Sequence, residues 1–532
     1  MPTLTWIGKQ AVEKHHLEIP YRLLEYDESL SVGDKESGNL LVQGDNLHAL
    51  KALLPYYAGK VKCIYIDPPY NTGNEKWIYN DNVNSPEIKE WLNQVVKGEE
   101  EDLSRHDKWL CMMYPRLQLL KKLLSKNGVL LISIGDDELH NLLFLCNEIF
   151  GEKSHDATFV WKSRTKPTNA GKAKYRPQKV TEYILLYSRN PNLLFNTLTG
   201  EDNYSYPNED KDGKFRTTTI LTSNLGSYKR ETMRFSIGDY TPPSGQRWKA
   251  GKDIIQDLYD SNRLQFSDGV PMQKVYENDN EEINNPLYTL IKQELSGTAE
   301  SGKTLLNKVV GMGHGFDTVK PIELLKYLLE VFTDQESIVL DSFAGSGTTG
   351  HAVLELNKED GGNRKFILVE LDKKISNEIT TKRIKNVING YNVSKQNGNN
   401  EQVEGLGGGF RYCNLGEPLF DKFGNVSQGV KFKELARHIF FSENGVPLSE
   451  KAKLNTPLIG TYKGVGYYLL FNGILGDKTV NGGNVLTSRI LESLPKHNGP
   501  KIIFGEANRI SPERLRKENI VFKQIPYEIK TV

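Results

Sequence analysis

The sequence contains little cysteine, no long apolar run and no excess of charge of either sign, and each shortage excludes a class of protein. Four cysteines among 532 residues stand singly, without the spacing of a disulfide framework or a zinc site. No apolar run is long enough to cross a bilayer, and the N-terminus MPTLTWIGKQ lacks the basic start and apolar core of a signal peptide. We therefore expect a reduced, cytoplasmic protein without a metal site.

Charge is balanced over the whole chain but uneven along it. The net charge is +1, from 68 basic and 67 acidic residues, so there is no polycation signature. The stretch from Lys162 to Lys179 nevertheless contains seven basic residues and no acid. Such a loop is usually only a solvated surface, but beside a catalytic cleft it would contact phosphates.

Short apolar runs alternate with helical patterns along much of the chain, which predicts βαβ units and a mainly parallel sheet. A polar stretch rich in Asn, Asp, Tyr and Gly interrupts this pattern, and a glycine-rich stretch follows it later. We predict a doubly wound, Rossmann-like α/β domain that is split by an insertion and followed by a C-terminal α+β domain. The predicted parts are an N-terminal extension (1–37), the first half of the sheet domain (38–190), the insertion (191–310), the second half (311–391), a linker (392–409) and the C-terminal domain (410–532).

The segment SIVLDSFAGSGTTGHA places a strand, a glycine-rich turn and a helix in immediate succession. Gly345 and Gly347 permit close backbone approach, and the start of the helix offers unpaired N–H groups to a nucleotide-like ligand. The next predicted strand ends in Glu370, whose carboxylate suits the two hydroxyl donors of a ribose. The pattern therefore predicts a site for an adenosine-containing ligand.

A second motif follows the apolar run VKCIYI, where Asp67-Pro68-Pro69-Tyr70 ends a predicted buried strand. An aromatic amine is a poor nucleophile because its lone pair is delocalised into the ring. The Asp67 carboxylate and the Pro68 carbonyl could accept both amine hydrogens and so favour a localised pair. Tyr70 offers a face on which a purine can stack. A plain turn at a strand end is the bland alternative.

Together these motifs resemble the β-class amino-methyltransferases of DNA, in which the catalytic motif precedes the cofactor loop. Further stretches are similar to the modification (Mod) subunits of type III restriction-modification systems: Gly44-Asp45-Asn46, Ile134-Gly135-Asp136-Asp137-Glu138, Phe316-Asp317-Thr318-Val319-Lys320-Pro321 and the ending FKQIPYEIK. The form Asp-Pro-Pro-Tyr is the one that adenine-directed members carry. The resemblance implies transfer of a methyl group from S-adenosylmethionine to the exocyclic N6 of adenine in double-stranded DNA, without a metal.

The resemblance also implies roles for particular residues. Asp67, Pro68, Pro69 and Tyr70 would hold the extruded base, with Asp45 near the cofactor's adenine and Lys320 and Pro321 at its methionine end. The remaining cofactor contacts would come from Asp341, Phe343, Ala344, Gly345, Gly347, Thr348 and Glu370. DNA would be contacted by the basic loop and by the insertion, where such enzymes place target recognition: Lys162, Arg164, Lys166, Lys174, Arg176, Arg216, Arg230, Arg234 and Arg247.

The resemblance leaves the assembly open. It implies a homodimer and permits a restriction subunit with helicase and nuclease parts as partner. The chain is somewhat short for a Mod subunit, so a stand-alone adenine or cytosine-N4 methyltransferase is the alternative. A catalytically silent subunit that only reads DNA is a second one, which the intact Asp67 and Tyr70 disfavour.

An ATP-driven motor is a third interpretation, because residues 297–304 (GTAESGKT) match the P-loop pattern and residues 137–140 (DELH) match an acidic box of helicases. A P-loop needs a buried strand before it, whereas PLYTLIKQEL has helical spacing. The acidic box also precedes the loop, the reverse of the order in motors. We therefore expect a decoy.

Overall fold

The computed structural model describes most residues of the chain. These are residues 4–34, 36–72, 101–166, 175, 177–193, 195–196, 198–199, 205–226, 229–277, 279, 284–285, 287–394, 400–449, 452–476, 483–527 and 529. They form two compact units, of which the first contains residues 1–196 and 288–532 and the second contains residues 197–287. None of the described helices is long and apolar enough to cross a membrane.

Strands and helices are numbered in chain order. The strands are β1 (Arg22–Gly33), β2 (Leu40–Gln43), β3 (Val61–Ile66), β4 (Leu124–Ile134), β5 (His155–Trp161), β6 (Glu182–Ser188), β7 (Leu198–Thr199), β8 (Asn208–Asp210), β9 (Gly213–Thr219), β10 (Leu221–Ser223), β11 (Gln246–Trp248), β12 (Leu264–Ser267), β13 (Val270–Tyr276), β14 (Asn284–Asn285), β15 (Leu290–Ile291), β16 (Ile338–Asp341), β17 (Lys365–Glu370), β18 (Gly390–Ser394), β19 (Asn400–Glu404), β20 (Gly409–Pro418), β21 (Leu458–Tyr462), β22 (Val465–Leu469), β23 (Val485–Leu486), β24 (Lys501–Gly505), β25 (Ala507–Asn508) and β26 (Ile520–Gln524). The helices are α1 (Lys9–Glu13), α2 (His15–Glu18), α3 (Asn46–Tyr57), α4 (Glu101–Leu123), α5 (Leu139–Phe150), α6 (Lys252–Asp260), α7 (Gln293–Ser296), α8 (Ala299–Val310), α9 (Ile322–Phe332), α10 (Thr348–Asp360), α11 (Lys373–Ile375), α12 (Thr381–Asn389), α13 (Phe432–Asn444), α14 (Ser488–Ser493) and α15 (Pro512–Lys517).

A ten-stranded sheet is the framework of the first unit, with the strand order β1-β20-β2-β17-β16-β3-β4-β6-β5-β15. Every neighbouring pair from β20 to β4 is parallel, whereas β6 is antiparallel to both β4 and β5. The central strands are buried almost throughout, as expected for a parallel sheet covered on both faces. The predicted doubly wound α/β fold is confirmed.

The chain leaves the two central strands in opposite directions. From β16 it passes through α10 to β17 on one side, and from β3 it reaches β4, by way of α4, on the other. In an open parallel sheet, a crevice for ligands forms where two such connections diverge, outside the carboxyl ends of the strands. The ends of β3 and β16 carry the two predicted motifs, so the fold brings both to this crevice.

The N-terminal and linker segments contribute more structure than the sequence predicts. In the predicted extension, β1 forms the edge of the central sheet by pairing with β20, which itself pairs with β2. The predicted linker contains the hairpin of β18 and β19 and the start of β20. The pairings of β20 with β1 and β2 join segments far apart in sequence, which local composition does not reveal.

The C-terminal residues also build a second sheet, in the order β21-β22-β24-β26. In this sheet β22, β24 and β26 are parallel, and β21 is antiparallel to β22. A small separate core, including Tyr468, Leu470 and Ile503, supports it.

The second unit is narrower than the predicted insertion of 191–310. It contains a four-stranded sheet in the order β12-β13-β9-β8, with a core around Trp248 and Ile255. Residues 288–310 belong instead to the first unit, because β15 pairs with β5 and because Asn386 on α12 donates to the carbonyl of Val309 at the end of α8.

Candidate active site

Asp67-Pro68-Pro69-Tyr70 leaves the carboxyl end of β3 as an extended segment held by its neighbours. The indole N–H of Trp109 donates to the carbonyl of Pro69 at 2.7 Å. Gly135, after β4, lies against the Tyr70 ring, and a Cβ there would stand 3.0 Å from the ring's Cδ2. These contacts fix the segment without using the Pro68 carbonyl.

The glycine turn after β16 is closed by hydrogen bonds to the end of β17. The amide of Gly345 donates to Oε2 of Glu370 at 2.8 Å, and the amide of Ala344 donates to the Val369 carbonyl at 3.0 Å. Gly345 and Gly347 have φ values of 49° and 77°, in the left-handed region that favours glycine. The predicted turn therefore exists, and it places Glu370 directly beneath Gly345.

Both motifs line one cleft of about 490 Å³. Asp67 and Lys320 contribute to one part of its wall, and Asp341, Phe343, Ala344, Gly345 and Thr348 contribute to another. Among the other residues predicted to bind the cofactor, Gly347 caps α10 and Pro321 caps α9, and neither lines the cleft. The structure thus brings together residues that the sequence places far apart.

Two acids near the cleft have raised pKa values. Burial raises the pKa of Asp341 to about 7, although its carboxylate accepts from the Thr349 hydroxyl at 2.5 Å and the Phe343 amide at 3.0 Å. Burial likewise raises the pKa of Glu370 to about 7 against two backbone hydrogen bonds. At neutral pH both acids are therefore poised between their charged and neutral forms.

Asp67, Lys320 and Glu182 form an ion-paired triad. Lys320 Nζ lies 2.8 Å from Oδ2 of Asp67 and 3.3 Å from Oε2 of Glu182. Burial raises the pKa of Asp67, and the Lys320 ammonium opposes that effect. Burial acts to lower the pKa of Lys320, but the two carboxylates outweigh it and hold that pKa above its usual range. Within the described part of the chain, Oδ1 of Asp67 is buried and has no hydrogen-bond partner.

The Tyr70 ring belongs to the same group. Its hydroxyl donates to Oε2 of Glu182 at 2.9 Å, and Lys320 Nζ stands 5.0 Å from the ring centroid. Burial and the neighbouring carboxylates raise the Tyr70 pKa well above its usual value, so the phenol stays protonated and can donate. Glu182 is not part of any motif in the sequence. The only sign of it there is an acidic residue at the start of an apolar strand.

A buried polar cluster follows the motif. Asn71 has a φ of 54°, and its amide donates to Oε1 of Glu138, which is fully buried. His106 contacts the same carboxylate oxygen at 2.6 Å. Glu138 lies in the stretch that resembles a helicase box. Its carboxylate is used to hold Asn71, His106 and Asn141.

Asp45 lies at the same edge of the sheet, but its carboxylate makes structural contacts. Its Oδ1 caps α3 by accepting from the amides of Leu47 and His48, and its Oδ2 pairs with Arg116 at 3.0 Å. It does not line the cleft.

The predicted DNA contacts divide between the two units, and Lys174 and Arg176 lie outside the described residues. In the first unit, Lys162, Arg164 and Lys166 follow β5 directly, with Lys162 and Lys166 exposed. In the second unit, Arg216 and Arg247 lie on β9 and β11, and Arg230 is exposed. Arg234 is held within its own unit by Glu231 and the Pro242 carbonyl.

The P-loop pattern is a decoy, as expected. Gly297 follows the short helix α7 rather than a buried strand, and Thr298 caps α8 in a reciprocal capping box with Ser301. Lys303 pairs with Asp317 at 2.6 Å on the surface. The residues of the pattern are thus used to start a helix.

Comparison with known proteins gives one family. The model of the DNA methylase family matches residues 61–382. The type III StyLTI Mod subunit of Salmonella typhimurium is 32% identical over 73% of this chain and 60% of its own length. The EcoP15I Mod subunit of Escherichia coli is 31% identical over 70% and 64%, and the EcoPI Mod subunit of Escherichia phage P1 is 31% identical over 74% and 69%.

The fold is a doubly wound, Rossmann-like α/β sheet with a cleft at the carboxyl ends of its central strands. The chain belongs to the DNA methylase family and, within it, to the Mod subunits of type III restriction-modification enzymes. It spans less than two thirds of the first two of these relatives.

The residues present fit S-adenosylmethionine. Asp341 on the cleft wall and Glu370 beside it bring two carboxyl groups that favour a cationic sulfonium. A Cβ at Gly345 would meet the Phe316 ring at 3.1 Å, so only glycine leaves the wall open there. The unpartnered Oδ1 of Asp67 offers an acceptor toward the second substrate.

Proposed function

We propose that this chain methylates the exocyclic N6 of adenine at specific sites in double-stranded DNA, with S-adenosylmethionine as methyl donor. One observation carries the proposal: Asp67 at the end of β3 and the glycine turn at the end of β16 line the same cleft, so an amine held by the first faces a ligand held by the second.

Methyl transfer to an adenine amine requires three roles from the chain's own residues. Oδ1 of Asp67 and the Pro68 carbonyl accept the two amine hydrogens and so localise the nitrogen lone pair. The Tyr70 ring stacks on the extruded purine, since a base inside a duplex cannot reach the cleft, and extrusion costs a few kcal/mol. The glycine turn and Glu370 would hold the cofactor, which would supply a methyl group on a sulfonium.

We further propose that the second unit, with Arg216, Arg230, Arg234 and Arg247, carries target recognition, and that the loop starting at Lys162 contacts the DNA backbone. Guanidinium groups are suited to guanine edges and phosphates. The position of Lys162 supports this proposal, because it directly follows Trp161, and the Trp161 ring centroid lies 5.9 Å from Lys320 Nζ.

We place the chain as the modification subunit of a type III system. A homodimer and a restriction subunit as partner are part of this proposal, and a DNA modifier of this kind would act in the cytoplasm. A stand-alone adenine or cytosine-N4 methyltransferase is the alternative.

Sequencing that detects modified bases, on DNA from a methylation-free host expressing the chain, tests the proposal. We expect N6-methyladenine in one recurring sequence. N4-methylcytosine instead would favour the alternative, and unmodified DNA would contradict the proposal.

The matched variant is Asp67→Ala. We expect methylation to disappear while cofactor affinity, measured by calorimetry, changes by no more than about twofold, because Asp67 acts on the amine. Loss of cofactor binding with an unchanged fold would show that the role of Asp67 has been misassigned.

A further inference from the structure

Glu182 occupies a position that no motif of the sequence marks. It is the first residue of β6, which runs antiparallel to β4, so its start lies at the edge where the parallel strands end. In the register with β5 it pairs with Trp161, which is fully buried. Its side chain is 16% exposed. An acid placed this deeply needs partners to offset its desolvation.

The Glu182 carboxylate interacts with the side chains of Tyr70, Lys320 and Ser163. One carboxylate oxygen, Oε2, accepts from the Tyr70 hydroxyl at 2.9 Å and lies 3.3 Å from Lys320 Nζ. Burial raises the pKa of Glu182, but Lys320 and the Tyr70 hydroxyl outweigh it, so this pKa lies below its usual range. The carboxylate is therefore charged at neutral pH and restrains both groups at once.

The restraint extends to Asp67 through Lys320. The ammonium binds only Oδ2 of Asp67, at 2.8 Å, and Oδ1 of Asp67 is the buried oxygen without a partner in the described residues. If Lys320 moved freely between the two oxygens, it would compete with the amine for Oδ1. Its second anchor, on Glu182, fixes which oxygen it takes.

We propose that Glu182 is a positioning residue of the methyl-transfer site, which orients the Tyr70 ring for stacking and, through Lys320, leaves Oδ1 of Asp67 to the target amine. The inference rests on the proposed function and deepens it. Glu182 does not itself line the cleft, so its effects appear through Tyr70 and, by way of Lys320, through Asp67.

Two variants separate the two parts of this role. Glu182→Gln keeps an oxygen for the Tyr70 hydroxyl but removes the negative charge, whereas Glu182→Ala removes both. Tyr183→Phe is the matched control: it deletes the hydrogen bond that the next residue of β6 makes to Asp136 at 3.0 Å, also a phenol on a carboxylate. Single-turnover methylation of unmethylated genomic DNA, at a series of pH values, is the main measurement.

In Glu182→Gln we expect the acid limb of the methylation rate to move to lower pH. Asp67 must be ionised to accept the amine hydrogens, and removing a neighbouring negative charge lowers its pKa while Lys320 becomes its partner alone. Tyr65 on β3, Tyr70 and Asp341 on β16 also face Asp67, and the substitution leaves them in place. A structural role alone would lower the rate without moving this limb.

In Glu182→Ala we expect the methylation rate to fall about tenfold or more, with cofactor affinity within about twofold of wild type. Tyr70→Phe retains the ring but lacks the hydroxyl. In the double variant of Glu182→Ala and Tyr70→Phe, the losses in rate will be less than additive if both substitutions act through the same hydrogen bond. Tyr183→Phe will behave as wild type.

An unmoved acid limb in Glu182→Gln, or additive effects of Glu182→Ala and Tyr70→Phe, would overturn the inference while methylation by the wild type leaves the proposed function standing. Absence of methyl transfer by the wild-type protein would overturn both. If Glu182→Ala does not fold, the pH profile of the isosteric Gln variant decides alone.

Discussion

At the scale of single residues, the site depends on positions where one atom more or fewer changes the geometry. Gly345 combines a φ of 49° with a Phe316 Cζ only 3.1 Å from where its Cβ would stand. Its amide also holds Glu370. A side chain there would displace the Phe316 ring or the turn that holds the Glu370 carboxylate.

We therefore expect Gly345→Ala to weaken S-adenosylmethionine binding roughly tenfold, because the turn must shift to relieve the contact. Gly361→Ala is the control, since Gly361 has a similar φ of 68° but no atom within 4 Å. Both variants should lose about 1 kcal/mol of unfolding free energy from the left-handed conformation. Calorimetry should detect an affinity loss only at Gly345, and equal affinities would contradict this account of the turn.

At the scale of elements, α8 positions Lys320 by close packing. Gly302 on this helix faces the backbone of residues 319 and 320, and a Cβ there would lie 2.6 Å from the Val319 carbonyl oxygen. The neighbouring residue Lys303 points outward and pairs with the exposed Asp317. Of these two adjacent positions on α8, Gly302 therefore affects the site and Lys303 does not.

Gly302→Ala should lower the methylation rate at least about tenfold, because the backbone that carries Lys320 must move to admit the methyl group. Lys303→Ala should leave the rate unchanged, because an exposed ion pair contributes little. Single-turnover methylation measures both. ATP hydrolysis by the protein that disappears in Lys303→Ala would instead restore the motor interpretation.

At the scale of the whole molecule, DNA affinity cannot come from net charge, which is +1. It must come from local groups of basic residues, and the second unit presents Arg230 exposed on its surface. Each phosphate contact adds to the salt dependence of binding.

Arg230→Ala should weaken DNA binding and reduce the slope of log affinity against log salt by about 1 if the side chain contacts a phosphate. Lys496→Ala, an exposed cation of the first unit, is the control and should change neither quantity. Binding titrations at several salt concentrations measure both the affinity and the slope. An unchanged slope with altered sequence preference would assign Arg230 to a base edge instead.

Much of the fold and the core of the site could be predicted from local pattern. The burial of VKCIYI and its end at Asp67, the strand-turn-helix at Gly345 and the acid at Glu370 are each readable within a few residues. These features follow from side-chain period and from the backbone limits of proline and glycine, which act over short distances.

Only the tertiary structure decided which of these pieces meet. Lys320 reaches Asp67 across 253 residues and Tyr70 reaches Glu182 across 112, contacts that no local period encodes. Strand pairing decided the rest: β20 joins β1 to the central sheet, and the antiparallel β6 brings its first residue, Glu182, to the edge where Asp67 and Tyr70 lie. The sequence by itself therefore determined the chemistry of each motif. Long-range hydrogen bonding and packing determined their partners, because those energies depend on segments that are remote in the chain.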